Sequence, residues 1–167
     1  KMGREVLKAL CKEPGLTPIG AIDSLANEET MDLPDGSGSI SLATSFDKLV
    51  DKIDVVIDFS TPEGSMRAMR TATARKIHLV VGTSGLSEAN LREAQELADD
   101  GGVGILIGYN FAIGGVLLMH LAAIAGKYFD YADLVETHHE AKVDAPSGSA
   151  LAIAQAAASG RDHPFII

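Results

Sequence analysis

The chain has 167 residues, 46% hydrophobic and 22% charged, the balance of a soluble globular protein with room for one filled domain or one domain and part of another. Its formal net charge of −9 repels phosphates and anionic lipid, which argues against nucleic acid and membrane surfaces as partners, and no apolar run is long enough to span a bilayer. Cys11 is the only cysteine, so no intramolecular disulfide can form, and the start Lys1-Met2-Gly3-Arg4 lacks a hydrophobic leader; a cytoplasmic location is the default expectation. With no Trp and only 5% aromatics, the core must be built from Ala, Val, Ile and Leu.

Val6, Leu7, Leu10 and Cys11 recur at helical spacing and predict a helix over 3–12 with Cys11 on its buried face, stopped by Pro14-Gly15. Residues 16–23 read as a short strand, and 24–45, rich in Ser, Gly, Asp and Glu, as a loop with little structure. Val55 to Phe59 is a compact apolar strand expected to be buried on both faces. Ser60-Thr61-Pro62-Glu63 combines a capping hydroxyl, a helix-compatible Pro and a Glu at capping-box spacing from Ser60, predicting a helix to about residue 75. A strand over 78–81 follows, then a helix capped by Ser87 to about residue 99. A strand over 104–108 comes next, then a long helix over 113–128, a strand over 132–137 and a helix over 149–159. This alternation means right-handed βαβ units: an α/β fold with a mostly parallel sheet and helices on both faces, with a domain boundary near 111–113.

Ligands of such sheets bind at the carboxyl ends of the strands. Three strand ends carry glycines, hydroxyls or amides suited to a close ligand: Phe59-Ser60-Thr61, Gly82-Thr83-Ser84-Gly85 and Gly108-Tyr109-Asn110-Phe111. Together they suggest one extended groove; singly, each is equally an ordinary turn or helix cap. Asp23 ends the second predicted element where a dinucleotide fold places an acid on the adenosine ribose, which would favour NADH by repelling a 2′-phosphate. The bland alternative is a solvated Asp opening a loop.

The densest constellation runs from Glu136 to Ser149. Adjacent His138 and His139 at a strand end point to opposite faces and should do different work. Lys142 can fold back beside His138, and Asp144-Ala145-Pro146-Ser147-Gly148 reads as a rigid turn into a helix whose first N–H groups, at Gly148 and Ser149, suit a carboxylate. Hydride reduction of a conjugated imine needs these parts: a dicarboxylate holder, a His to supply the proton and a Lys⁺ to hold developing charge or deliver a proton itself. The rival is a metal site using the two His with Glu140 and Asp144; the spacing fits no helical HExxH pattern and Lys142 would repel a cation, so no metal is expected. A purely structural role for both His is the other alternative. His78, His120 and His163 read as structural or exposed.

The segment ETHHEAKVDAPSGSA, 136–150, closely resembles the E-x-HH-x-x-K-x-DAPSGTA motif of dihydrodipicolinate reductases. DFSTPEG at 58–64, GTSG at 82–85 and NFAIG at 110–114 match further motifs of that family in order, and Lys1 to Arg4 resembles the end of its glycine-rich loop. The resemblance, over residues 1 to about 158, implies a Rossmann-like dinucleotide-binding domain over 1–111 and part of an α+β substrate-binding domain over 112–167. It implies that His138 is the general acid or base and Lys142 a proton donor. His139, Ser147, Gly148 and Ser149 would bind the dicarboxylate. Lys1, Met2, Asp23, Phe59, Ser60, Gly82, Thr83, Ser84, Gly108, Tyr109, Asn110 and Phe111 would line the cofactor site. The implied cofactor is NADH or NADPH, since Lys1 could contact a 2′-phosphate; the implied assembly is a homotetramer.

Two departures stand out: the family's first strand and leading glycines are absent, and 160–167 matches no motif of the family. The chain therefore reads as a piece of a longer enzyme. A non-catalytic homologue of the same fold and a different reductase, such as an amino-acid dehydrogenase, remain as alternatives; the dicarboxylate-holding Pro-Ser-Gly-Ser turn argues against the latter.

Overall fold

The computed structural model describes residues 2–48, 52–108, 110–138, 140 and 145–165. Lys1, Tyr109, His139 and Lys142, all named as site residues above, lie outside this set. The chain forms two compact units, Lys1–Ile107 and Gly108–Ile167. The first is an α/β unit with a parallel sheet.

Unit 1 opens with helix α1 (Met2–Leu10), which buries Leu7; Cys11, expected in the core, is only half-buried. Strand β1 (Gly20–Ile22) is shorter than the predicted element. The region read as an unstructured loop contains two strands, β2 (Thr30–Asp32) and β3 (Ser39–Ala43). They pair antiparallel with Thr30 opposite Ser41, and β1 joins β3 in parallel with Gly20 opposite Ser41. The polar residues that suggested a loop form the turn between the strands. Leu33 N–H donates to the Gly38 carbonyl at 2.8 Å, Asp35 accepts from the Ser37 amide and hydroxyl, and Gly36 takes a φ of +74° that a side chain would resist. In β3 only Ile40 and Ala43 are buried, three residues apart and so on opposite faces, which leaves the apolar signal thin.

The second sheet is parallel, in the order β4 (Val55–Asp58), β5 (His78–Val81), β6 (Ile105–Ile107). Helices α2 (Pro62–Ala74) and α3 (Glu88–Gly101) pack on the face carrying Leu79 and Val81. Met66, Met69, Ala72 and Ala94 complete the core with these side chains. Arg70 bridges the two helices through a forked pair with Glu93 at 2.5 and 2.9 Å. The expectation that β4 is buried on both faces fails: Val55 and Ile57 are 46% and 37% exposed. They lie on the other side of the pleat, with Leu106, where no helix covers them among the described residues. Among the described residues, helices therefore cover one face of this sheet.

The capping hydroxyl of α2 also differs from the reading. Thr61, not Ser60, is the N-cap, its Oγ1 accepting from Gly64 N–H at 3.1 Å, so Glu63 falls at the second helical position and closes no capping box. Helix α3 has a complete box between Ser87 and Asn90 and stops at Gly102 in the left-handed conformation. Its neighbour β6 is fastened to β5 by Gly104 N–H donating to His78 Nδ1 at 2.8 Å.

Unit 2 contains α4 (Ile113–Ala125) and α5 (Gly148–Ser159), packed so closely that a Cβ at Gly126 or Gly160 would overlap the carbonyl of Ala157 or Ala123 on the opposite helix. Arg161, its side chain 3% exposed, donates to the Gly126 carbonyl at 2.8 Å and to that of Phe129. Helix α4 ends three residues before the predicted 128, and no strand forms over 132–137. A strand needs a neighbour for its amides, and the described residues of unit 2 supply none.

At the end of β5, Gly82 is covered by the Phe59 ring, which a Cβ would penetrate. Gly82→Ala is expected to lower stability by about 1–3 kcal/mol. The cost should shrink in a Phe59→Leu background, measured by urea unfolding of both single variants and the double. Strictly additive costs would show that the ring is not what the glycine accommodates.

Candidate functional site

In unit 1 the strand ends are organised by a carboxylate. Asp58 closes β4, and its Oδ2 accepts from the hydroxyls of Thr83, at 2.8 Å, and Ser65. Thr83 Oγ1 in turn accepts from Ser60 N–H at 2.9 Å, and Gly82 N–H donates to the Asp58 carbonyl at 2.8 Å. This network brings Phe59, Ser60, Gly82 and Thr83 to one sheet edge, with Ser84 next in the chain. It also gives Thr83 an inward role. The residue is buried and its hydroxyl is committed in both directions, so only its backbone is left for a ligand. Ser60 and Ser84 are exposed.

Asp23 follows β1 in the mixed sheet and is not hydrogen-bonded to this network. Its Oδ1 accepts from Leu25 N–H at 3.0 Å, and Oδ2 has no partner among the described residues. Met2, at the start of α1, is 49% exposed.

In unit 2 a second carboxylate does the organising. Glu136 Oε1 accepts from Ser147 N–H at 2.9 Å, and Oε2 lies 2.7 Å from His138 Nε2. Ser147 is the N-cap of α5, its Oγ accepting from Ala150 N–H at 3.0 Å. The Ser147 side chain foremost, then the His138 ring and the Ser147 N–H, hold the Glu136 carboxyl down to about 2. The predicted turn into a helix at 147–148 is thus present, and the N–H groups of Gly148 and Ser149 fall in the first turn, without intrahelical acceptors.

Ser149 also lines a small pocket with Gly108, Asn110, Gly115 and Met119. Asn110 spans it, donating from Nδ2 to Ser149 Oγ at 3.3 Å and accepting on Oδ1 from Ala112 N–H at 2.8 Å. Phe111 packs its ring on Gly108, where a Cβ would come within 2.6 Å. Of the residues singled out from sequence, the structure therefore groups Gly108, Asn110 and Ser149 at one pocket, with the Phe111 ring on Gly108, and His138 with Ser147 at another point of the same helix start. Among the described residues no three His, Cys, Asp or Glu side chains come together as metal ligands, and no helix is long and apolar enough to cross a membrane.

Asp58 and Glu136 enter the sequence reading only as the first residues of quoted segments, with no role of their own, and Ser65 does not enter it. The two acids nevertheless left a signal: one closes the apolar run Val55-Val56-Ile57, and the other stands two residues before His138.

Glu136 carries a pH signature. Its carboxyl is lowered from 4.5 to about 2 in the folded chain, so the stabilisation it brings is complete above 4.5 and is lost as pH falls through about 2. The stability difference between the parent chain and Glu136→Gln should therefore shrink across that window. Urea midpoints of both proteins over the same pH series measure it, and a difference that stays constant contradicts the bridging role.

A family model described as the N-terminus of dihydrodipicolinate reductase matches residues 1–111, and one described as its C-terminus matches 114–164. The 4-hydroxy-tetrahydrodipicolinate reductase of Dehalococcoides mccartyi is 41% identical over 167 residues, covering 99% of this chain and 64% of its own length. That of Bacillus velezensis is 36% identical over 164 residues, covering 96% of this chain and 61% of its own length. A solved structure, the dipicolinate-bound dihydrodipicolinate reductase from Paenisporosarcina sp. TG-14, superposes with a TM-score of 0.76 at 29% identity, covering all of this chain and 67% of that one. The chain spans about 64% of the length of the first of these curated relatives. With both family models in order along it and the fold shared with a solved member, the chain belongs to the dihydrodipicolinate reductase family.

Proposed function

We propose that the protein carrying this chain reduces 4-hydroxy-tetrahydrodipicolinate to tetrahydrodipicolinate with NADH or NADPH, in lysine and diaminopimelate synthesis. The observation that carries the reading is the bridge from His138 through Glu136 to the N-cap of α5, which sets a proton-transfer group beside a helix start whose first N–H groups have no intrahelical acceptor. The reaction consumes one hydride and one proton and releases water, forming tetrahydrodipicolinate and the oxidised nicotinamide.

Residues 1–111 form the dinucleotide-binding domain in this reading, and 112–167 part of the substrate-binding domain. The bound nicotinamide supplies the hydride. The chain fits such a cofactor in two respects: the β4 and β5 ends are held as one edge by Asp58, and Asp23 keeps an oxygen for ribose hydroxyls. Lys1, Met2, Asp23, Phe59, Ser60, Gly82, Thr83, Ser84, Gly108, Tyr109, Asn110 and Phe111 are the proposed cofactor residues, Thr83 acting through its backbone. Lys1 near a 2′-phosphate would admit NADPH, and Asp23 favours NADH.

Helix α5 receives a substrate carboxylate on the N–H groups of Gly148 and Ser149, with the positive end of its dipole behind them. His139 and Ser147 complete the dicarboxylate site. His138 supplies the proton as the hydride arrives, and Lys142 holds the charge developing on the substrate or delivers that proton itself. A cytoplasmic homotetramer is the proposed setting.

The test adds freshly formed 4-hydroxy-tetrahydrodipicolinate to the purified protein with NADH or NADPH and follows the absorbance of the reduced nicotinamide. His138→Ala is expected to lower kcat by about 10²- to 10⁴-fold while cofactor Kd is unchanged. Wild-type turnover in His138→Ala, or none in the parent protein, refutes the proposal.

A further inference from the structure

We infer that Glu136 is a positioning residue: its carboxylate fixes the ring proton of His138 on Nε2 and ties that ring to the first turn of α5. The inference rests on the proposed role of His138 and adds which of its nitrogens does the work.

Two contacts define the arrangement. Glu136 Oε2 is 2.7 Å from His138 Nε2, and Oε1 is 2.9 Å from Ser147 N. An ionised carboxylate has only acceptors to offer, so the hydrogen between it and the ring belongs to Nε2. At neutral pH Glu136 is ionised, being held at about 2. The nitrogen left to exchange a proton is then Nδ1. It accepts in the neutral ring, and in the imidazolium it donates while Nε2–H stays on Glu136.

The spacing explains why this acid and this ring meet. Residues 136 and 138 are two apart in the chain, and the 2.7 Å contact places their side chains on the same side of it. Ser147 is eleven residues beyond Glu136, and its N–H is the second donor to the same carboxylate. Both halves of the proposed chemistry therefore hang from one group. The ring that moves the proton is held by Oε2, and the helix start that holds the substrate carboxylate is held by Oε1. A neutral amide could not fix the tautomer this way, because it can present either an oxygen or an N–H to Nε2.

That difference supplies the experiment. The nitrogen chemical shifts of His138 report which ring nitrogen is protonated, read in the ¹⁵N-labelled chain at a pH where the ring is neutral. The parent chain should show the Nε2–H form. Glu136→Gln, close in shape and able to accept from Ser147 N–H through its carbonyl, should lose that preference, with Nδ1–H rising. In the protein carrying this chain the same variant should lower kcat at least about tenfold with cofactor KM unchanged, as the loss of a ring-orienting carboxylate does elsewhere. An Nδ1–H form in the parent, or an unaltered tautomer in Glu136→Gln, overturns the inference. A parent protein that shows the Nε2–H form yet fails to reduce the substrate refutes the proposed reaction and leaves the tautomer assignment standing.

Discussion

In each unit one carboxylate, shared between segments distant in sequence, holds the chain ends that matter. Asp58 joins the end of β4 to Ser65 in α2 and to Thr83, 25 residues on, beyond β5. Glu136 joins His138 to Ser147 in the same way. A carboxylate suits this work because its two oxygens accept several hydrogen bonds in fixed directions. The donors it collects are backbone amides and hydroxyls at strand ends and helix starts, where secondary structure leaves groups unpaired. The loops so gathered keep their shape without disulfides, for which a single cysteine leaves no means.

Close packing is the second device, and it explains how a chain with no Trp and few aromatics places the aromatics it has. Phe59 lies on Gly82 after β5, and Phe111 lies on Gly108 after β6. In both cases the missing side chain is the seat of a ring, and at Gly82 the backbone is also held by its N–H donating to the Asp58 carbonyl. The α4–α5 contact uses the same idea at Gly126 and Gly160, where backbone meets backbone. A substitution at such glycines acts through displaced neighbours more than through backbone freedom.

What the sequence made legible follows from the range of the interactions involved. Helices α2, α3 and α5 and strands β5 and β6 carry their own signals, a capping hydroxyl followed by periodic apolar residues or a short apolar run, and they form close to where they were read. Strands β2 and β3 escape the sequence reading because their few apolar residues are scattered through a polar stretch, and the turn chemistry of Pro34-Asp35-Gly36 reads as part of a loop rather than as a hairpin signal. The strand placed at 132–137 and the double burial of β4 failed for the opposite reason: local apolarity was clear, but partners decide whether it becomes a strand or is covered. At the candidate site, residue identities were legible and their internal commitments were not. Thr83 reads as a free hydroxyl in a turn and proves to be committed to Asp58 and Ser60, a contact between segments 25 residues apart.

The acidity of the chain poses the remaining problem, since the proposed substrate is a dianion and the net charge is −9. Long-range attraction is unavailable, so affinity must come from donors close to the ligand. Helix α5 offers two N–H groups and the positive end of its dipole, and α4 begins at Ala112 with no side chain capping its own first amides. A carboxylate at 136 would oppose a dianion if its charge were free. Instead its oxygens are committed to the His138 ring and the Ser147 N–H, so the negative charge is met by donors of the chain before a ligand arrives. When the ring is protonated, the pair carries no net charge, and Nδ1–H is the donor not used by Glu136. The same bond that selects the ring nitrogen therefore also removes the electrostatic obstacle the acid would otherwise present.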